Sequence, residues 1–241
     1  MDYILVLVIG LIAGTIGGVI GTGTSIMLVP VLVYAFGPKE AIPIMAVAAV
    51  LANAGRMVVW WRQTDWRACA VYSLTSIPAA ALGARTLLAL PSRVIDICIA
   101  VFMLLMIPIR HWLAARGLTL KLWHLAIFGA VLGYLTGIVA STGPASVPVF
   151  LAYGLTKGAL LGTEATSSLA VYISKTITFQ QLGALPWSVA LNGVIAGSTL
   201  IAGAFIAKPF VLRFDPNTFR YVIDGLMLLA GLAMLWAALT T

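Results

Sequence analysis

The sequence predicts an all-α, polytopic membrane protein of two homologous helical repeats, inverted relative to one another. Each repeat would open with a broken or re-entrant segment and continue into three transmembrane helices. Three observations carry this expectation: a scarcity of charge, a series of apolar runs about 20 residues long, and a glycine pattern that occurs twice.

Charge comes first. Of 241 residues, 62% are hydrophobic and only 9% charged, and the mean hydropathy is +1.09. A soluble domain needs about 25% charged residues to cover its surface, so lipid must supply most of the outer boundary here. The runs 41–61, 68–90, 94–114, 159–179, 188–207 and 218–239 contain few or no charges. At about 1.5 Å per residue each matches a hydrocarbon core of about 30 Å. They are continuously apolar and not alternating, which indicates helices in place of barrel strands. The longest polar stretch, Ala115 to Trp123, has the length of an ordinary connection, so no large soluble domain is expected. The first apolar segment, from Tyr3, lacks a positively charged leader and is read as part of the mature protein. The formal charge of +7 is scattered over short loops with no run of Lys or Arg. That distribution fits the positive-inside bias of a polytopic protein better than a patch for nucleic acid or acidic lipid. Cys69 and Cys98 lack CxxC spacing and read as buried thiols, and His111 and His124 stand at loop edges without ligand spacing. No metal and no cofactor are therefore expected.

The repeat comes next. Gly10, Gly14 and Gly18 return as Gly129, Gly133 and Gly137. Each ladder is followed by a break of small and hydroxyl residues: Gly21-Thr22-Gly23-Thr24-Ser25 in one half, Ser141-Thr142-Gly143-Pro144-Ala145-Ser146 in the other. Pro30 and Pro148 follow, then turns at Gly37-Pro38-Lys39 and Gly154-Leu155-Thr156-Lys157. Asp65-Trp66 corresponds to Pro186-Trp187, Leu82-Gly83-Ala84 to Ala202-Gly203-Ala204, and Val94-Ile95-Asp96 to Val222-Ile223-Asp224. The offset stays near 120, widening in the last loop, and the repeats divide as 1–118 and 119–241.

Residues 3 to 36 would form a helix of roughly 51 Å, too long for one span. The break in the middle leaves two solutions, a kinked continuation or a re-entrant hairpin. If the broken segments cross, basic residues divide nearly evenly between the two sides. If they re-enter, Arg62, Arg67, Arg110, Arg116, Lys121, Lys157, Lys208, Arg213 and Arg220 face one side and only Lys39, Arg85 and Arg93 the other. The second arrangement obeys the positive-inside bias and makes the halves inverted. Six full spans plus two re-entrant segments are expected on this ground.

The breaks are the first candidates for chemistry. Where a helix ends inside a membrane, freed backbone N–H groups and the positive end of the next half-helix point into a cavity. Thr22, Thr24, Ser25, Ser141, Thr142 and Ser146 add hydroxyls, while Gly23 and Gly143 allow close backbone approach. The glycine ladders themselves also suit plain helix crossing. Arg56 and Lys175 lie inside spans at nearly equivalent positions. A basic group near mid-membrane costs about 2.5–3.5 kcal/mol on insertion scales, which suggests attraction of an anion, although both sit close enough to a helix end to snorkel. Asn53 precedes Arg56 by one turn as a neutral donor. Glu164, Ser168 and Lys175 form a polar stripe, with Thr163, Ser167 and Ser174 beside it. Glu164 is a candidate proton-coupling group or a structural salt-bridge partner, and Ala46 takes its place in the first half. Asp96 and Asp224 lie near helix starts, where a carboxylate suits the dipole. Trp60, Trp61, Trp66, Trp112, Trp123 and Trp187 sit at span ends, as an aromatic belt does.

The duplicated ladder, the small-residue breaks before Pro30 and Pro148, and the helices that follow resemble the TauE/SafE sulfite exporter family, also called toluenesulfonate uptake permeases. The resemblance covers essentially the whole chain. It implies a bacterial inner-membrane carrier of sulfite, sulfonates, sulfoacetate or related organosulfur anions. Members of the family often carry a richer glycine run at the break than the Gly-Thr-Gly-Thr-Ser and Ser-Thr-Gly-Pro-Ala-Ser found here, which implies a more polar site. Three functions follow as expectations: a secondary transporter for a small sulfur-containing anion with protons as the candidate coupling ion, a carrier of other organic anions, or a non-transporting scaffold. A second copy of the chain, as a homodimer, is a candidate partner. The sequence has no HExxH, GxSxG or Walker motif, so an enzyme or an ATP-driven pump is not expected.

Overall fold

A computed structural model describes residues 2–20, 24–115, 119–139, 141–207 and isolated positions between 221 and 236. The described residues form nine α-helices and no strands: α1 (Asp2–Ile20), α2 (Thr24–Phe36), α3 (Pro38–Trp60), α4 (Trp66–Ala89), α5 (Ser92–Ala115), α6 (Leu122–Ile138), α7 (Gly143–Ala152), α8 (Lys157–Gln181) and α9 (Trp187–Ala207). The expected runs 41–61, 68–90, 94–114, 159–179 and 188–207 correspond to α3, α4, α5, α8 and α9. Most of 218–239 lies outside the described residues.

Each helix end has a local cause. Chain reversal between α2 and α3 uses Gly37 at φ 78, and the reversal after α7 uses Gly154 at φ 105. Both angles lie where a Cβ is disfavoured. Pro38 then starts α3, where its missing N–H costs nothing. Asp65 caps α4, its carboxylate accepting from the N–H groups of Arg67 and Ala68.

The glycine ladders set the packing. Gly10 meets Thr199, Gly14 meets Leu200, and Gly18 meets Ala204 and Ala207, so α1 lies against α9. Gly129 meets Tyr72 and Thr75, Gly133 meets Ser76, and Gly137 meets Ala80 and Gly83, so α6 lies against α4 in the same manner. A Cβ on Gly14 would come within 2.7 Å of Leu200 backbone, and one on Gly133 within 2.6 Å of Ser76 backbone. Such contacts can form only if the side chain is absent, the geometry of small-residue membrane interfaces.

The order of these contacts gives helix direction. Gly193 and Gly197 of α9 face Ile44 to Leu51 of α3, and Ile201 faces Gly55, so α1, α9 and α3 run in one sense. Contacts of Thr163 with Cys69 and of Ser174 with Ile77 make α8 parallel to α4, and α6 is parallel to α4 by its ladder. Since Gly158 and Gly162 of α8 pack on Trp60, α8 is antiparallel to α3. Because α1 and α3 point the same way, α2 must run back between them. The partners of the two ladders stand at an offset of 124 (Thr75 to Thr199), whereas the ladders stand at 119 (Gly10 to Gly129). The ladders and the residues they meet are thus spaced differently along the chain.

Large apolar side chains cover the outside, among them Val8, Leu74, Leu105, Val131, Ile177 and Val194, and Trp61, Trp66, Trp112, Trp123 and Trp187 are exposed at or near helix ends. Two described helices, Lys39–Gln63 and Trp187–Ala207, are long and apolar enough by themselves to cross a membrane. Asp224 pairs with His111 at 2.6 Å, so it is held by a partner helix and not by a helix dipole alone. The side chain of Asp96 lies outside the described residues.

Candidate functional site

The first turns of α2 and α7 open onto one small cavity of about 30 Å³, enough for about two or three waters where each needs roughly 10–15 Å³. Its wall includes Thr24 and Ser25 from α2, Ser141 and Gly143 from the second break, Asn53 and Arg56 from α3, and Glu164, Ser168 and Tyr172 from α8. Met45, Ala49 and Ala52 complete it on the α3 side.

An ion pair dominates the electrostatics. The Arg56 guanidinium stands 3.0 Å from Glu164 Oε2, with the carboxylate 2% exposed. The antiparallel packing of α3 on α8 produces this pair, since it brings the end of one helix to the beginning of the other. Arg56 also donates to Asn53 Oδ1, and Asn53 Nδ2 donates to the Ala49 carbonyl at 2.8 Å. On the far side, Glu164 Oε1 accepts from Ser168 Oγ at 2.8 Å and Ser146 Oγ at 3.2 Å. A buried pair of this kind is tolerable only when its remaining hydrogen-bonding capacity is met, and Asn53, Ser146 and Ser168, from three helices, meet part of it here. The Tyr172 hydroxyl faces those of Ser25 and Ser141, linking the two breaks across the cavity. Ser141 itself accepts the Gly143 N–H at 3.2 Å, tying the turn to the start of α7.

Lys175 is elsewhere. It is fully buried, and its ammonium donates to the Thr136 carbonyl at 2.6 Å and the Val139 carbonyl at 2.8 Å, with the Phe179 ring 5.6 Å away. Those carbonyls form the C-terminal end of α6, where acceptors lack helical donors and the dipole is negative. Lys175 therefore acts as the cap of the broken helix and does not line the cavity. Thr142 turns the same way: its hydroxyl bonds to Thr136 Oγ1.

Nor do Ser167, Thr163 and Ser174 line the cavity. Thr163 Oγ1 accepts the Asp65 N–H at 2.9 Å, Ser167 lies beside Cys69, and Ser174 donates to the Ile77 carbonyl at 2.9 Å. This polar strip is the seam between α8 and α4. Of the residues expected from sequence, Thr24, Ser25, Asn53, Arg56, Ser141, Gly143, Ser146 and Glu164 come together. Thr142, Ser167 and Lys175 serve packing or capping, and Thr22 and Gly23 lie outside the described residues. Tyr172 and Ser168 were missed. Ser168 had a signal in the polar stripe, one turn after Glu164, and Tyr172 had one in its spacing of 119 from Asn53.

A bundle of apolar helices that encloses a buried ion pair and a small polar cavity has the make-up of a helical membrane protein. The sequence matches the family described as Sulfite exporter TauE/SafE over residues 6–234, and the chain belongs to that family. A curated relative, named probable membrane transporter protein YjnA, from Bacillus subtilis (strain 168), is 21% identical over 254 aligned positions. The alignment covers 95% of this chain and 98% of the relative. No solved structure matches the chain at a significant level.

Proposed function

We propose that this transporter carries a small sulfur-containing anion, of the sulfite, sulfonate or sulfoacetate type, across a bacterial inner membrane by a proton-coupled secondary mechanism. The observation that carries the proposal is the convergence of both breaks on the cavity that holds Arg56. Hydroxyls from Thr24, Ser25, Ser141 and Tyr172 stand ready as donors, and Arg56 supplies the charge. Family membership supports the sulfur chemistry. Glu164, on the same cavity, is the proton-accepting group.

Helix directions support an inverted repeat within a multi-pass protein, divided as 1–118 and 119–241. α1 and α3 run one way, α6 and α8 the other, and each ladder packs against a helix of the opposite half. The return of α2 between α1 and α3 favours a re-entrant hairpin, which leaves nine basic residues on the side of Arg62 and three on the side of Lys39. Transport would proceed by one repeat rocking against the other around the shared cavity.

Purified protein in liposomes tests the proposal. Sulfite or sulfoacetate flux is expected, and Arg56→Ala should abolish it. Flux that survives this change unaltered removes the cavity as the substrate site. Carboxylates crossing as fast as their sulfonate analogues would replace the substrate class with organic anions in general.

A further inference from the structure

The cavity contains its own anion. Glu164 occupies the guanidinium of Arg56 at 3.0 Å, so a solute anion arriving at the same group meets a cation already neutralised and a like charge beside it. In a wall this poorly solvated, two anions cannot both keep Arg56 without a large electrostatic cost. We propose that Arg56 is held in alternation: the Glu164 carboxylate holds it when the carrier is empty, and the transported anion takes it over as a proton binds Glu164. This deepens the anion-transport reading and rests on it.

The geometry assigns separate tasks to the two carboxylate oxygens. Oε1 accepts from Ser168 and Ser146 and can keep both bonds as the carbonyl oxygen of a neutral acid. Oε2 faces the guanidinium, and the proton belongs there. One proton enters from water, the Oε2 contact with Arg56 breaks, and the guanidinium N–H groups turn to the anion's oxygens. For a singly charged anion, the charge in the cavity is the same before and after, because the anion replaces the charge that the proton removes.

The groups facing Glu164 leave Arg56 as its charged neighbour. Tyr172 from its own helix, with Tyr72 and Cys69 from α4, stand close enough to feel its charge, and a neutral phenol or thiol is a donor already carrying its proton. Ser146 on α7 is a neutral donor. Nothing in this shell would take the proton in place of the carboxylate.

The test uses full-length protein in detergent with sulfoacetate and methanesulfonate, anions that stay fully ionised through the neutral range. Measured at roughly pH 6 and pH 8, binding should take up about one proton per anion, and Kd should be weaker at the higher pH by no more than about tenfold per pH unit, the linkage limit for one proton. Glu164→Gln keeps an acceptor for Ser146 and Ser168 but no charge. It should bind at both pH values within about threefold of the wild type at low pH, with no proton uptake. Wild-type binding without proton uptake, or a Glu164→Gln variant that keeps the wild-type pH dependence, overturns the alternation and leaves anion transport standing. If the variant does not fold, the wild-type proton count decides alone. Failure of the wild type to bind either anion at either pH overturns the transport reading and the alternation with it.

Discussion

Arg56 and Lys175 stand 119 residues apart, the spacing that separates the two glycine ladders, and both are buried cations in long helices. Their surroundings give them different work. Arg56 meets a carboxylate, an amide and a cavity. Lys175 meets two carbonyls at the end of α6 and an aromatic ring. The same spacing runs through the cavity wall. Met45 pairs with Glu164, Ala49 with Ser168, Asn53 with Tyr172 and Thr24 with Gly143, and all eight line it. Positions one ladder spacing apart thus enclose one space, and Glu164 supplies a carboxylate where Met45 has a thioether. Position in the fold sets where a side chain can reach, while the neighbour it finds there sets its chemistry.

The contrast can be broken at several points. Removing the guanidinium should have the largest effect on transport: Arg56→Ala should abolish flux and strand the Glu164 carboxylate, at about 3–5 kcal/mol of stability for an orphaned buried charge. Adding Glu164→Gln should restore most of that stability, seen as recovery of Tm in detergent, but none of the flux. Tyr172→Phe should be milder. Loss of one hydroxyl between the breaks is worth about 0.5–1.5 kcal/mol, or roughly two- to tenfold in flux. Lys175→Met should act mainly on the fold, at about 1–3 kcal/mol for each carbonyl left without a donor. The protein that survives should bind anion within about threefold of wild type, and a larger loss of binding would return Lys175 to the substrate site. Ser167→Ala should change flux least, within about twofold, since its side chain packs beside Cys69.

Sequence patterns made the helices legible because apolar length is a direct consequence of membrane thickness. α3, α4, α5, α8 and α9 begin and end within a few residues of the apolar runs that announce them. The breaks were legible for a related reason: glycine, serine and threonine clusters interrupt runs that otherwise have no cause to stop. Arg56 and Glu164 stood out as charges in oily surroundings, but their pairing was hidden. It spans more than a hundred residues and depends on α3 lying antiparallel to α8. The role of Lys175 was hidden by the same fact, since its partners are main-chain carbonyls that no side-chain pattern reports. Ser167 misled because a hydroxyl at a helix seam and one at a cavity look alike in sequence.

The Lys175 ammonium is rooted in α8 and clamps the last carbonyls of α6. A displacement of α8 cannot leave the tip of α6 behind without baring those carbonyls in a dry interior. The pair is therefore a mechanical unit, one lever with its own pawl, and in the transport cycle proposed above a stroke that exposes the cavity to the opposite face of the bilayer would swing both helices together.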